Sequence, residues 1–491
     1  MDTTAESPSL LRTRLGALTL LLLCGIQFLD VVDSSITNVA FPSIQHALRF
    51  SQQNLQWVAS GYLLTYGGFL LLGGRLADLL GRRRVLVAGL IVFAACSLGA
   101  GLAQSEAALI VARLLQGVGA ALMAPAALSI LTTTFREGAD RNTALGAWGA
   151  ISGLAAAAGV FLGGVLSEGP GWRWVFYVNI PVCVLALAGT FRLLSRERRR
   201  APLAEFDTQG ALLATGGMLL LVYALIEAPD VGWGKARTVA MLAAAGCILA
   251  AFVLNERRTR HPLLSLSIFR VRGLAAADAT WLIGMAGFFA MFFFLTLYMQ
   301  EVLGFSPIQA GTALLPVTVC LALAAGASSQ LFVRIGTRPV IVGGSMLSAA
   351  GIYYLSRIPV HGSYAADVLP GLVMMAVGFG AVFVGVTTAA NAGVPPDKAG
   401  LAAGLLSTSQ QVGMALGLAV LSAVATARTH HLLAEHAARP EALTSGYQRA
   451  LLVCSIFVLV AGLIAGRTPN ARTAAQPLVV PGEPAADGAV V

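Results

Sequence analysis

The stretch Leu15–Ala40, LGALTLLLLCGIQFLDVVDSSITNVA, decides the fold. It holds no lysine or arginine, yet it carries two aspartates, Asp30 and Asp33. A hydrocarbon core about 30 Å thick needs roughly 20 predominantly apolar residues in a helix, so this stretch is long enough to cross a bilayer. Thirteen similar runs follow, near Leu55–Gly73, Val85–Ala103, Ala107–Leu131, Ala144–Leu166, Trp172–Leu194, Gly210–Ile226, Ala236–Leu254, Gly273–Met299, Ile308–Phe332, Val340–Leu355, Val368–Ala390, Leu401–Ala425 and Arg449–Ala465. Lipid offers no partners to backbone N–H and C=O groups, so each run is read as a helix. The expectation is an all-α membrane protein with fourteen transmembrane helices.

Composition agrees with that reading. Of 491 residues, 57% are hydrophobic and only 11% are charged. No gap between spans has room for a soluble domain, so the function belongs in the membrane. The apolar run after Met1–Arg14 is too long for a cleavable signal, and it carries the aspartates. The net charge of +9 lies in the loops and argues against nucleic acid as a partner. About 23 of the Lys and Arg residues fall on the side of the N-terminus, about 8 on the other side, and Arg113 inside a span, which predicts cytoplasmic termini by the positive-inside rule. The inner clusters Arg82–Arg84, Arg196–Arg200 and Arg257–Arg260 fit topology and contact with anionic lipid.

The six cysteines all fall in spans, none pairs by spacing, and they read as small apolar fillers. Neither lysine, Lys235 or Lys398, sits in a G-x-x-x-x-G-K-[ST] loop, so the chain has no P-loop. No metal spacing appears among the six histidines, and no cofactor is expected. Uphill movement of a solute would draw on an ion gradient.

Glycines recur at small-xxx-small spacing, as Gly149–Gly153, Gly159–Gly163, Gly400–Gly404 and Gly413–Gly417. Such spacing lets helices approach closely, either as static packing or as smooth faces that rock. Pro125 and Pro316 lie inside spans and should kink them. A weak repeat links GRLADLLGRRR (Gly74–Arg84) with QLFVRIGTRP (Gln330–Pro339). It suggests a cytoplasmic tail over 1–14, a six-helix bundle over 15–194 and a linker with two extra spans over 195–272. A second six-helix bundle over 273–466 and a disordered cytoplasmic tail over 467–491 would follow. Repeated bundles that bind at the repeat interface are a transporter architecture.

Asp30 and Asp33 are three apart and share a helical face. An intramembrane carboxylate is a functional hypothesis by default. At ~1.5 Å per residue, Asp30 lies about 8 Å and Arg113 about 9 Å below the outer surface. An Asp30–Arg113 ion pair is therefore expected if spans one and four are neighbours. Two nearby carboxylates at low dielectric do not both ionise easily, which describes a proton site that loads and unloads. The plainer reading is an Arg-neutralised structural carboxylate, or an Asp33 that faces water at the interface. Asp278 is a possible second titratable site, and Glu227, Glu301 and Asp207 close or open span ends. Phe288, Phe289, Phe292, Phe293, Phe294 and Tyr298 crowd span nine. They could line an apolar drug pocket, although lipid-facing filler is the favoured reading.

At these residues the chain resembles the major facilitator superfamily, and more narrowly its fourteen-span drug/proton antiporters of EmrB/QacA type. Leu29–Pro42 (LDVVDSSITNVAFP) is similar to the family's span-one LDxTxVNVALP, with Asp33 in the place of the motif's aspartate. Gly74–Leu86 (GRLADLLGRRRVL) resembles the signature cytoplasmic loop at Gly74, Asp78, Gly81 and Arg82. Leu109–Ala121 (LIVARLLQGVGAA) places Arg113 at the span-four arginine implicated in proton coupling. Trp172–Pro181, Tyr298–Pro316 and Gly400–Val420 are also typical. The span-five motif expects Gly-Pro then Gly-Gly; here Val160 follows Gly159, while Gly163 and Gly164 are retained.

The resemblance implies an antiporter, not an enzyme, in the cytoplasmic membrane of a bacterium, acting as a monomer among membrane lipids. It would export a hydrophobic or cationic small molecule in exchange for protons, with the proton gradient in place of any cofactor. Asp33 would be the main proton or cation site, Asp30 auxiliary, and Arg113 the residue that biases both. Asp78 and Arg82 would latch the cytoplasmic side, and Asp278, Glu227, Glu301, Phe292 and Tyr298 are possible substrate or secondary proton sites. Rival readings are an exporter of one endogenous product, a symporter, and a non-transporting membrane sensor.

Overall fold

The computed structural model describes residues 11, 13–135, 139–195, 207–259, 262, 268–269, 271, 273–391, 399–468 and 470. Over these residues the chain is a succession of helices with no strand. The first group is α1 (Arg14–Leu48), α2 (Gln52–Leu80), α3 (Arg82–Leu102), α4 (Glu106–Thr134), α5 (Ala139–Leu166), the one-turn α6 (Trp174–Tyr177) and α7 (Asn179–Leu193). A hairpin of α8 (Thr208–Val231) and α9 (Ala236–Arg258) follows. The second group is α10 (Leu274–Leu297), α11 (Pro307–Ile335), α12 (Thr337–Leu355), α13 (Leu369–Asn391), α14 (Ala399–Ala434) and α15 (Arg439–Ala465).

The two groups repeat one packing scheme. In the first, α2 and α3 pack on α4, and α1 packs on α5. In the second, α11 and α12 pack on α13, and α10 packs on α14. Between the groups α2 meets α14 and α5 meets α11, a reciprocal pairing under that same correspondence. The weak sequence repeat has a backbone counterpart. Gly81 between α2 and α3 has φ 98° and Gly336 between α11 and α12 has φ 86°. These one-residue turns lie in a region that disfavours a Cβ. The hairpin lies across a seam, with α8 against both α2 and α14.

Twelve of the described helices are long and apolar enough to cross a membrane by length and composition. The expected count was fourteen. The long helices α2 and α12 stand where spans two and eleven were expected but are not among the twelve.

Helix boundaries differ from the apolar runs in two informative places. Span one was expected to end at Ala40, but α1 runs 35 residues to Leu48, through Pro42, and stops where Arg49 turns left-handed (φ 59°). Polar residues at a helix end keep their backbone bonds, so hydrophobicity alone marks the end too early. Span six was expected from Trp172, and the helix begins at Trp174 and runs through to Leu193 as one span, Val178 between α6 and α7 keeping right-handed helical dihedrals (φ −59°, ψ −25°). Pro125 and Pro316 do lie within α4 and α11.

The two ends of the bundle are packed differently. At the end away from the chain termini, a Cβ added to Gly164 of α5 would lie 2.7 Å from the Ile308 Cα of α11. There the Glu168 carboxylate accepts hydrogen bonds from Ser306 Oγ (2.7 Å) and from the Ile308 N–H (3.1 Å) at the start of α11. Gln300 Nε2 also donates to the Val39 carbonyl (3.0 Å). At the other end, a Cβ at Gly146, Gly149 or Gly153 of α5, or Gly326 of α11, would meet nothing within 4 Å. The Gly149–Gly153 pair, expected at a close helix contact, therefore faces open space. Gly159 and Gly163 approach α1, while Gly413 and Gly417 press on the α10 backbone. The surroundings of Gly400 lie outside the described residues, as do 196–206 and the tail from 471. The chain beyond α15 returns to the start of α12, where the Arg338 N–H donates to Asn470 Oδ1 (3.1 Å) and Arg338 Nε to the Thr468 carbonyl (2.8 Å).

Candidate functional site

Because α1 is longer than its apolar run, its midpoint falls at Val31, between Asp30 and Asp33. The two carboxylates were expected toward one end of the span and instead sit halfway along the helix. The neighbouring helices bring them very different partners.

Asp33 is fully buried at 0% exposure and meets three donors from three places in the chain. Arg113 Nη1 of α4 donates to Oδ2 at 2.7 Å. Gln116 Nε2, one turn further along α4, donates to Oδ1 at 2.9 Å. Asn179 Nδ2, at the start of α7, donates to Oδ1 at 2.6 Å. Asn179 Nδ2 also reaches Ser97 Oγ of α3 (3.0 Å), whose hydroxyl donates to the Phe176 carbonyl (2.9 Å). Arg113 is 1% exposed, gives its Nε to the Val58 carbonyl (3.0 Å) and its Nη1 to Gln116 Oε1 (2.8 Å), and lies 4.2 Å from the Tyr62 ring centre. A guanidinium so bonded and stacked keeps one orientation.

Among the described residues no cation pairs with Asp30. Its carboxylate accepts from Tyr66 Oη (2.8 Å) and Tyr62 Oη (3.3 Å) of α2. The Asp30–Arg113 pair expected from matching depth is therefore replaced by Asp33–Arg113. Depth along two helices fixes height but not the rotation of either helix, and rotation selects the partner. Asn179, Gln116 and Ser97 were missed as site residues. Their signal was a polar side chain inside an otherwise apolar run.

Beside the ion pair is a cavity of about 10 Å³ lined by Ser34, Thr37, Phe41, Tyr62, Arg113 and Phe289, the space of about one water molecule. Phe289 reaches it from α10, the other helix group. The aromatics of α10 were expected mainly against lipid. Instead α10 is, with α14, the most enclosed of the candidate spans. Phe293 and Phe294 are buried, and Phe288, Phe289 and Phe292 are half-buried. Phe292 packs edge-on to Phe288 (5.1 Å), and Phe288 stacks on Phe379 (3.7 Å, 8°).

Other expected residues go elsewhere. The Tyr298 hydroxyl donates to the Pro359 carbonyl (2.6 Å). Glu301 pairs with His46 (3.2 Å) and Arg439 (3.8 Å), and Glu227 with Arg237 (3.5 Å) on the exposed hairpin. Asp207 caps α8 by accepting from the Gly210 N–H (2.7 Å). Asp278 of α10 is buried, and neither carboxylate oxygen has a hydrogen-bond partner among the described residues. In the signature loop, Arg82 donates to Thr133 Oγ1 (2.9 Å) and Gly81 makes the turn. A Cβ at Gly74 would meet Pro125 only at 3.8 Å, so the tight approach to α4 falls on Gly73 instead. The Asp78 side chain lies outside the described residues. Among the described residues no cluster of His, Cys, Asp and Glu is arranged to hold a metal.

Comparison with known proteins agrees with this geometry. The family model described as Major Facilitator Superfamily matches residues 23–418. The chain is 39% identical to the puromycin resistance protein pur8 of Streptomyces alboniger, covering 95% of this chain and 94% of that one. It is 36% identical to the cephamycin export protein CmcT of Amycolatopsis lactamdurans, covering 97% of each. It is 38% identical to the tetracenomycin C resistance and export protein of Streptomyces glaucescens, covering 81% of this chain and 73% of that one. The fold is similar to an inward-facing, unoccupied bacterial homologue of the human lysosomal transporter Spinster, with a TM-score of 0.66 at 15% identity over 92% of this chain and 97% of that chain. It is also similar to a peptide transporter POT bound to sulfate, with a TM-score of 0.64 at 18% identity over 91% and 95%. The chain is a multi-pass membrane transporter, not an enzyme, and it belongs to the major facilitator superfamily.

Proposed function

We propose that the protein exports an apolar or cationic small molecule, of the antibiotic class, across the cytoplasmic membrane of a bacterium, driven by inward movement of protons. Full-length relatives named for drug resistance and export support the direction. The basic bias of the loops supports cytoplasmic termini, and the helix succession supports fourteen crossings in two six-helix bundles with α8–α9 inserted.

The buried Asp33–Arg113 pair carries the reading. A proton and Arg113 compete for one carboxylate. When Asp33 takes a proton the attraction that holds Arg113 is lost, and Arg113 becomes free to change partners. Tyr62 touches Asp30 and Arg113 alike, so a change at one carboxylate is felt at the other. The cavity has room for about one water molecule beside Arg113, and Phe289 and Phe41 put apolar surface beside it. Asp33 acts as the obligatory proton site and Asp30 as the auxiliary one. The two helix groups rock about this centre: the end sealed by Glu168 and Gly164 faces outward and the open end faces the cytoplasm. Asp78 and Arg82 hold the cytoplasmic side in the alternate state.

The test is uptake of a dye and antibiotic panel into inverted vesicles with and without an imposed proton gradient. Gradient-dependent uptake of several members is expected. Uptake that ignores the gradient would remove the coupling. A second reading, export of one endogenous product, is favoured by relatives named for single antibiotics; transport of a single member of the panel would select it.

A further inference from the structure

Asp278 sits one turn into α10, is 5% exposed, and has no hydrogen-bond partner for either carboxylate oxygen among the described residues. Trp281, one turn on and 1% exposed, likewise leaves its indole N–H unpaired. Side chains at helical spacing of three share a face. Trp281 lies against Phe379 (6.1 Å, 20°) and edge-on to Phe383 (5.2 Å, 70°), both on α13, and Phe379 stacks on Phe288. Seven, eleven and fourteen residues beyond Asp278 come Met285, Phe289 and Phe292, at spacings that hold one stripe of α10. Phe289 on that stripe lines the cavity beside Arg113.

Two features make this arrangement unlike a structural ion pair. A buried carboxylate with no donor is costly unless something cationic or hydrogen-bonding meets it. Ring faces beside it attract a cation as well as apolar surface. We propose that Asp278 and Trp281, with the ring surface of Phe379 and Phe288, form a subsite for the cationic group of a lipophilic cation substrate, within the second helix group and separate from the Asp33–Arg113 proton site of the first. Asp278 supplies the counter-charge, the rings take the apolar and cationic faces, and the Trp281 N–H is free for an acceptor on the ligand. Substrate charge and proton would then be held on different halves of the molecule, and a neutral substrate would use the rings without the carboxylate.

This inference rests on the export reading, and its test separates the two. The purified full-length protein in nanodiscs is titrated with tetraphenylphosphonium and with a neutral apolar dye. Wild-type protein binds both. Asp278→Asn is expected to lose more than about tenfold in affinity for the cation, as for loss of a charged partner, while keeping the neutral dye within about twofold. Asp278→Glu restores cation binding, and Phe379→Leu weakens both probes. An Asp278→Asn protein that binds the cation as wild type does would overturn the subsite and leave export standing. Equal loss of both probes would mean a structural role and would also overturn it. A wild type that binds neither probe overturns the subsite, while the export reading stands or falls by the vesicle assay.

Discussion

Arg113 donates to Asp33 at 2.7 Å with both side chains sealed from solvent. Asp30, one helical turn away on the same face of α1, receives only tyrosine hydroxyls. The asymmetry separates two carboxylates that the sequence treats alike. One is locked in an ion pair with three donors, and the other can change its protonation without breaking an ion pair.

Removing one partner of the pair should therefore be worse than removing both. An unpaired buried charge costs about 3–5 kcal/mol, whereas a neutral replacement of both groups costs little. Arg113→Leu is expected to lower the unfolding temperature of the detergent-solubilised protein well below that of Asp33→Asn/Arg113→Gln. Neither protein should show proton-driven efflux. A fully stable, transporting Arg113→Leu would contradict the assignment of the pair.

Asn179 is the donor that ties α7 to the site. Its loss removes a hydrogen bond to a charged acceptor, worth roughly 1.5–3 kcal/mol. Asn179→Ala should reduce gradient-driven transport by at least about tenfold while downhill substrate exchange persists. Asp30→Asn should keep part of the driven rate, and Asp33→Asn none of it. Asp33→Asn with full drug-driven proton release would remove Asp33 from the coupling role.

The sequence carried the helices, the membrane and the residues Asp33 and Arg113, because a charge inside an apolar run is costly in lipid and stands out against its neighbours. It did not carry their pairing. That depends on the rotation of α1 against α4, which is set by packing at Gly159 and Gly163 with Ser35 and Ile36 on one side and at Gly117 with Tyr62 on the other. Nor did it carry Asn179, a polar residue in an apolar run whose partners depend on how α7 packs against α1 and α3. The aromatics of α10 were misjudged for a related reason. A helix hydrophobic all round can face lipid or other helices, and only its neighbours decide which.

Orientation is testable without any transport assay. Reporter fusions after Arg84 and after Arg200 should read cytoplasmic, and fusions near Glu106 and Pro440 should read external. The Arg84 and Glu106 positions are the sensitive ones for α2, since each changes side if α2 does not cross, and Pro440 changes side if only one of α2 and α12 fails to cross. A cytoplasmic signal at Pro440 would reduce the count.

The contact between α5 and α11 gives the sharpest test of the rocking motion. A Cβ at Gly164 would lie 2.7 Å from the Ile308 Cα and 2.8 Å from the Pro307 carbonyl oxygen, and backbone atoms cannot turn aside as a side chain can. Overpacking of this kind costs roughly 1–3 kcal/mol. Here the cost falls only on the state in which these helix ends touch. The ratio of sealed to open molecules should then drop by roughly 5- to 150-fold in Gly164→Val. Glu168→Gln, which keeps an acceptor for Ser306 and Ile308 but loses the charge, should move it less. Spin labels at Gly169 and Thr312, both exposed near this seal, would report the change as a gain in the longer distance, with transport reduced in step. Gly153→Val is the control for the distance, because its Cβ meets open space in this state, and it should not shift the molecules toward the longer distance. If Gly164→Val behaved like Gly153→Val, the contact would be incidental and the outward seal would have to lie elsewhere along α2 and α14.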